Sequence, residues 1–341
     1  MNPLTRNIFI NIIGTAILAA PMMTLPACNA FNEHLEECPE GARLRFVYDY
    51  NMEFANAFPS QVDCLTLLVY DENGNYLQTR TETSDVLADE NYRMTLDLPA
   101  GKYTFVAYGG MACEESSFHF VQQPAPEHPL SSLEVEMDSN CLTHPVGTNL
   151  HPLFYGLLDF EVTDTEFTYT EGTVKMMKDT NNIRILLQQL NGDPVNDGDF
   201  NFTITDDNTL LDWENIPVER ETITYYPWTK GQVVAGEYKD GSEAVLAFAE
   251  FSTSRLYTGN EPRLVITRKS DGENIVNIPL INYLLLLKSQ QFSRMDSQEF
   301  LDRESRWNMI FFLDKNDYWI RTHIVINDWV VRLNDNIDLG L

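Results

Sequence analysis

The sequence predicts an all-β protein built from two sandwiches. Short runs of alternating apolar and polar residues recur along most of the chain, and Gly, Pro, Asn and Asp clusters separate them. Strand runs divided in this way at close, regular intervals are the pattern of sandwich folds. Helix-forming pattern is confined to residues 280–304, so helix should make up under a fifth of the protein.

The elements can be taken in order. Residues 43–50 alternate Leu44, Phe46 and Tyr48 against Arg45, Val47 and Asp49. Residues 64–71 read CLTLLVYD and run into Asp71-Glu72-Asn73-Gly74. Asn-Gly favours the positive φ values of a tight hairpin, so 75–80 should pair back on that strand. Residues 92–98 alternate Tyr92, Met94, Leu96 and Leu98, and Pro99-Ala100-Gly101 then turns into 102–108. This last strand carries Tyr103, Phe105 and Ala107 on one face and Val106 and Tyr108 on the other, as expected of a central strand covered on both sides. Residues 114–152 lose periodicity. With Pro124, Pro126, Pro129, Pro145 and Pro152, and four histidines, they read as a long connection.

A second strand set follows, at 153–162, 167–177, 182–190, 199–205, 221–226, 244–251, 263–268, 274–278, 307–313 and 318–333. A helix is expected over 280–288 after Pro279, and another after Asp296-Ser297-Gln298-Glu299. The latter is a capping box: Asp296 accepts from the third amide of the helix, Glu299 reaches back, and Phe300 and Leu301 face inward. The chain is thus expected to divide into a leader (1–27), an N-terminal domain (28–150) and a C-terminal domain (151–341).

Arg6 is the only charged residue among the first 27, and residues 8–25 are largely apolar. This is the composition of an export signal. It ends in Leu25-Pro26-Ala27-Cys28, which reads as a lipobox whose Cys28 thiol can take a diacylglycerol. Two or three acyl chains hold a protein firmly at a membrane, so no spanning helix is required. The longest later apolar run, 284–287, is far too short to span. A formal net charge of −28 opposes nucleic acid and anionic lipid surfaces as partners.

With Cys28 assigned to lipid, Cys38, Cys64, Cys113 and Cys141 remain. In an oxidising compartment they can form up to two disulfides, with three possible pairings. Cys64–Cys113 is favoured as a single bridge because each lies at or just beyond the end of a predicted core strand. No two cysteines stand at a zinc-finger interval.

The six histidines, His34, His119, His128, His144, His151 and His323, show no metal-ligand spacing, and no nucleophile elbow, phosphate loop or zinc-protease motif occurs. The acidic turns at 206–208 and 314–317 lack the glycine and bidentate glutamate of an EF-hand loop. No catalytic residue, metal or cofactor is therefore assigned. Trp213, Tyr225, Tyr226, Trp228 and Trp319 could stack on sugar rings, which leaves a glycan-binding or tip-adhesin role as the alternative to a structural one.

Several stretches in fixed order resemble a known family. Lipobox Cys28 is followed by CPEGARLRF (38–46), DCLTLLVYD (63–71) and LPAGKYTFVAYGG (98–110), then QEFLDRES (298–305) and VINDWVV (325–331). Together they resemble the FimB-type fimbrial anchor subunits of Bacteroidales (type V) pili, across nearly all of the mature chain. The resemblance implies two transthyretin-like β-sandwiches in a lipoprotein facing the cell exterior. Such a protein would tie a fimbrial shaft to the outer membrane and limit its length, with β-strand complementation as its contact to shaft subunits. Shaft subunits of that family lose an N-terminal strand to proteolysis. Cleavage at Arg43 or Arg45 here would discard Cys28 and its lipid, so this strand is expected to stay. The polymer contact then falls to the C-terminal end, where Ile337, Leu339 and Leu341 alternate as one strand face would.

Overall fold

The computed structural model describes residues 41–332, apart from 165–167, 238–240, 242, 289–291 and 328. Cys28, Cys38, His34, Ile337, Leu339 and Leu341 lie outside these residues.

Nine strands precede residue 180: β1 (Ala42–Val47), β2 (Leu65–Asp71), β3 (Tyr76–Glu82), β4 (Met94–Leu96), β5 (Gly101–Gly109), β6 (Phe118–Phe120), β7 (Val135–Met137), β8 (Phe154–Val162) and β9 (Thr170–Lys178). Seven of them form one sheet in the order β3-β2-β5-β8-β9-β1-β4. The expected β2–β3 hairpin forms. Asp71 Oδ1 accepts from the amides of Asn73 (2.8 Å) and Asn75 (2.9 Å), and Gly74 takes φ +76°. The N-terminal strand set runs past residue 150, since β8 pairs along its whole length with β5, from Gly101↔Val162 to Gly109↔Phe154. The proline-rich connection leaves this sheet and returns to it.

The seven-stranded sheet folds over on itself between β8 and β9. These two pair only from Phe154↔Lys178 to Gly156↔Met176 and then diverge. A Cβ on Gly156 would stand 2.8 Å from the Lys175 carbonyl oxygen and 2.8 Å from Val174 Cγ1, so glycine allows the close crossing where the layers part. One layer is then β4-β1-β9 and the other β8-β5-β2-β3. Between them lie Leu44 and Phe46 of β1, Leu67 and Val69 of β2, Phe105 and Ala107 of β5, and Val174 of β9, all buried.

The opposite faces of β2 and β5 are buried as well. Leu68, Tyr70, Val106 and Tyr108 join a second core with Phe118, Leu130, Leu133, Val135 and Met137 of the proline-rich connection. This accounts for the apolar run in CLTLLVYD. The connection is also not without strands. β7 pairs with β6 on one side and β12 (Leu210–Leu211) on the other in a three-stranded sheet whose strands are too short to show periodicity.

The second core continues between two further sheets. β10 (Asn181–Gln189), β14 (Thr229–Glu237), β15 (Glu243–Thr253), β18 (Arg306–Leu313), β19 (Trp319–Ile326) and β20 (Trp329–Arg332) are ordered β14-β15-β10-β18-β19-β20. β11 (Phe200–Asp206), β13 (Ile223–Tyr225), β16 (Arg263–Arg268) and β17 (Asn274–Pro279) are ordered β13-β11-β16-β17. Ile183, Ile185, Phe251, Met309 and Phe311 face Phe202, Ile204, Leu264 and Ile266 in this core. Edge strand β14 has no counterpart in the sequence reading, because Gly231 and Gly236 interrupt its apolar pattern. The single strand expected over 318–333 is a hairpin, turned at Asn327 with φ +44°.

Among the described residues the α-helices are α1 (Phe58–Gln61), α2 (Leu280–Leu284) and α3 (Ser297–Arg303). α2 stops short of the expected 288 because the bonding tightens, with Leu286 N donating to Tyr283 O and Leu287 N to Leu284 O. Spacing by three sets Leu284 and Leu287 on one side, and both are buried. At α3 Asp296 accepts from Gln298 N (2.8 Å) and Glu299 N (3.4 Å). Glu299 does not reach back; its carboxylate instead accepts from Arg303 Nε at 2.8 Å.

Gly156→Ala should destabilise the protein by about 1–3 kcal/mol through overpacking against the Lys175 carbonyl. Urea denaturation followed by tryptophan fluorescence measures the loss, and an unchanged midpoint would show that the layers can part elsewhere.

Candidate assembly site

Three features bear on attachment and assembly: how the chain enters the fold, how it leaves, and how the strand sets are joined between.

β1 lies inside its sheet, parallel to β9 from Ala42↔Thr170 to Val47↔Lys175 and antiparallel to β4. Ala42 and Leu44 are fully buried. The groove that loss of this strand would open is filled by the chain's own residues. Arg43 is exposed and pairs with Glu171 at 3.6 Å. Because β9 runs toward Asp179, the parallel register puts Ala42 at the end of the sheet remote from Asp179, about 30 Å away at strand rise.

The exit is set by the second strand set. β10 begins just past Asp179, and β18 runs parallel to it, from Asn182↔Arg306 to Gln189↔Leu313. β19 is antiparallel to β18 and β20 antiparallel to β19, so β20 heads toward the Gln189 end, away from Asp179. Ile324 and Ile326, part of the apolar C-terminal run, are fully buried in the core.

Between entry and exit only Asp179 and Thr180 separate β9 from β10, and both are buried. Asn215 Nδ2 donates to Asp179 Oδ1 at 2.8 Å, and Arg255 donates through Nη1 to the Asn215 carbonyl. Arg255 grips Asp302 of α3 with both ends of its fork, at 2.9 and 2.8 Å. Gln298 Nε2 donates to Asp302 at 2.8 Å and to Leu256 O at 3.0 Å. Tyr155 Oη donates to the Trp213 carbonyl at 2.7 Å. A two-pronged pair such as Arg255–Asp302 fixes geometry as well as charge. Desolvation pushes the Asp179 carboxyl up to about 7, against the opposing pull of Arg255 and the Asn215 hydrogen bond. One buried cation thus balances one carboxylate, and the second holds its proton up to about pH 7.

Beside this joint a cleft of 520 Å³ opens where β8 and β9 diverge, floored by Tyr155, Leu157, Met176 and Met177. At its rim the Arg303 guanidinium lies 4.1 Å from the Tyr50 ring centre and 4.7 Å from that of Phe54, and Lys175 pairs with Asp49. Phe54 is 58% exposed and takes φ +52°, a conformation that costs a residue with a Cβ.

Cys64 and Cys113 form a disulfide, with their Cα atoms 5.5 Å apart. Cys64 sits just before β2 and Cys113 just after β5, paired strands whose ends meet at Leu65↔Gly109. The bridge ties the start of the proline-rich connection to β2. Cys141 is a half-buried free thiol, and burial pushes its pKa up. Of the aromatics considered for sugar stacking, Tyr225 and Trp319 are buried in the core and Tyr226 packs edge-on against His144.

Two expectations follow. In the native chain Cys141 should alkylate slowly, and Cys64 and Cys113 only after reduction; replacing both with alanine should cost about 2–5 kcal/mol in denaturant. For Asp179 the folded state holds its proton up to about 7, whereas the unfolded chain releases it near the ordinary aspartate value of 3.8. Its stabilising share is therefore complete below pH 4 and is lost as pH rises to 7. Asp206, also pushed up to about 7 by burial, acts in the same direction. Asp179→Asn should flatten the fall in Tm between pH 4 and 7, and a slope equal to that of the parent would show that Asp179 is ionised in the fold.

A family model described as fimbrillin-A associated anchor proteins Mfa1 and Mfa2 matches residues 35–335. No curated protein matches the chain. Among solved structures, a candidate adhesin from Bacteroides thetaiotaomicron is 57% identical, covers 88% of this chain and 100% of its own, and superposes with a TM-score of 0.84. A candidate polysaccharide-binding protein from the same organism is 29% identical over 86% of this chain and 98% of its own, with a TM-score of 0.73. The fimbrial anchor protein Mfa2 of Porphyromonas gingivalis shares the fold at 17% identity, over 87% of this chain and 100% of its own, with a TM-score of 0.64. The chain belongs to the fimbrillin-A associated anchor protein family, and with it to the fimbria-associated proteins of the cell envelope.

Proposed function

We propose that this protein is the lipid-anchored base of a fimbrium, held in the outer membrane through acylated Cys28, joined to shaft subunits by β-strand complementation and limiting shaft length. The observation that carries the reading is the seating of β1 between β9 and β4. A subunit whose own first strand fills the groove has no vacancy for a donor strand there, so growth in that direction stops. It also keeps the covalent path from the sheet back to Cys28. The directions of entry and exit agree with this. The chain enters at one end of its strand set and β20 leaves toward the far end of the other, which leaves Ile337, Leu339 and Leu341 to meet the neighbouring subunit. The role is structural and needs no catalytic group.

The alternative, glycan binding, draws on one observation. Half-buried Trp228 lines a cleft of 300 Å³ with Asn149, Asn182 and Asn308, an aromatic among amide groups. Selective binding on a glycan array would favour it over a pure anchor.

Cys28→Ser should give a folded protein that no longer sediments with outer membranes, and cells carrying it should shed fimbriae into the medium. Deletion after Leu333 should leave the protein in the membrane while fimbriae are still shed. Membrane association of Cys28→Ser in high salt would overturn the lipid assignment, and full retention of fimbriae by the truncation would place the polymer contact elsewhere.

A further inference from the structure

We propose that Asp63, Cys64, Cys113 and His151 form a redox-gated site for a zinc(II) ion, closed while the two sulfurs are bonded to each other and open when the bridge is reduced. Among the described residues these four alone bring at least three donor side chains together, one ligand atom from each, all within 4.8 Å of one another. Asp63 Oδ1 lies 3.0 Å from Cys113 Sγ and 3.3 Å from His151 Nε2. A bridged sulfur has no hydrogen to donate, so the 3.0 Å approach of a carboxylate oxygen is not a hydrogen bond. The 3.3 Å between Asp63 and His151 is the separation of two ligands on one metal, since zinc bonds of 2.0–2.3 Å at tetrahedral angles put neighbouring ligand atoms about 3.3–3.8 Å apart, and the sulfur contact is a few tenths of an ångström shorter. Two thiolates, an imidazole and a carboxylate are also the donor types zinc accepts.

Asp63, Cys64 and His151 are each positioned by contacts other than the bridge. Asp63 and Cys64 lead directly into β2, and Gly110 N donates to Cys64 O at 3.1 Å. His151 is fixed by its amide, which donates to Ser117 Oγ at 2.9 Å. Gly110, at φ +89°, lets the Pro152 carbonyl approach so closely that a Cβ there would stand 1.9 Å from its oxygen. The sequence intervals conceal the site because strand pairing assembles it, across a separation of 49 residues between the cysteines.

Opening requires two electrons and two protons, supplied by a dithiol reductant. One reductant thiolate attacks a bridge sulfur and expels the other as a thiolate. The second reductant thiol then resolves the mixed disulfide, and the reductant leaves as its own cyclic disulfide. Cys64 and Cys113 are left as thiols. Zinc(II) displaces both thiol protons without changing oxidation state and ties β2 to the connection in place of the covalent bond. The site does not depend on the anchor reading.

The test uses the exported chain carrying Cys28→Ser and Cys38→Ser, with cobalt(II) as spectroscopic probe. The reduced protein should take up one cobalt with a thiolate charge-transfer band in the near ultraviolet and tetrahedral bands in the visible, and zinc should displace it. The oxidised protein should show neither band. Asp63→Asn and His151→Ala, which keep both cysteines, should each weaken cobalt and zinc binding by more than about tenfold. The proposal is overturned if the reduced protein shows no charge-transfer band, or if both variants bind as tightly as the parent. It is also overturned if the reduced chain loses its β-rich circular dichroism and cobalt does not restore it.

Discussion

Burial of β2 and β5 on both faces is the constraint from which the architecture follows. A sheet with one wet face could stand as a simple sandwich. Here Leu67, Val69 and Phe105 pack inward against β1, and Leu68, Tyr70, Val106 and Tyr108 need a second cover. The proline-rich connection supplies it with Leu130, Leu133, Val135 and Met137, and the same core runs on to Ile183 and Phe311. The N-terminal strands, the connection and the C-terminal strands therefore bury their apolar surface together. This apolar burial, and not the sparse ion pairs at the surface, is the main source of stability.

Polar groups at the meeting point are arranged to suit that burial. Removing a charge from water is tolerable only with a partner, and a buried ion pair that loses one member is costly. Arg255 is matched by Asp302, while Asp179, whose carboxyl is pushed up to about 7 by desolvation, accepts from Asn215. The positive φ of Asn215, +63°, aims its carbonyl at Arg255 and its amide at Asp179. Together these groups hold β9 and β10 in fixed relation across a connection of only two residues.

Much of the fold was legible because two-residue periodicity survives wherever a strand has one wet face, as in β1, β10 and β18. The all-apolar run of β2 was legible for the opposite reason. Strands of two or three residues, such as β6, β7 and β12, show no period, and the glycines of β14 hide an edge strand that needs little packing. The course of the sheet past residue 150 was missed because prolines look the same in a linker and in a connection that turns back. The Cys64–Cys113 pair could be read from strand ends. The Asp179–Asn215–Arg255–Asp302 network could not, since its members are dozens of residues apart, on loops and a helix that meet only in the folded chain.

The parallel register of β1 and β9 fixes how the protein bears load. Tension drawn through the chain ahead of Ala42 enters β1 at the end of the sheet remote from Asp179 and loads the strand along its own axis. The hydrogen bonds of the six register pairs from Ala42↔Thr170 to Val47↔Lys175 lie across that axis. They are strained in shear, all together, and none can be peeled off singly from one end. The short β4 ladder on the other edge of β1 is loaded in the same sense. A strand pulled from its opposite end, or paired antiparallel through a terminal hairpin, would unzip one rung at a time. The strand that keeps the groove filled is thus also the one whose geometry best resists being pulled out.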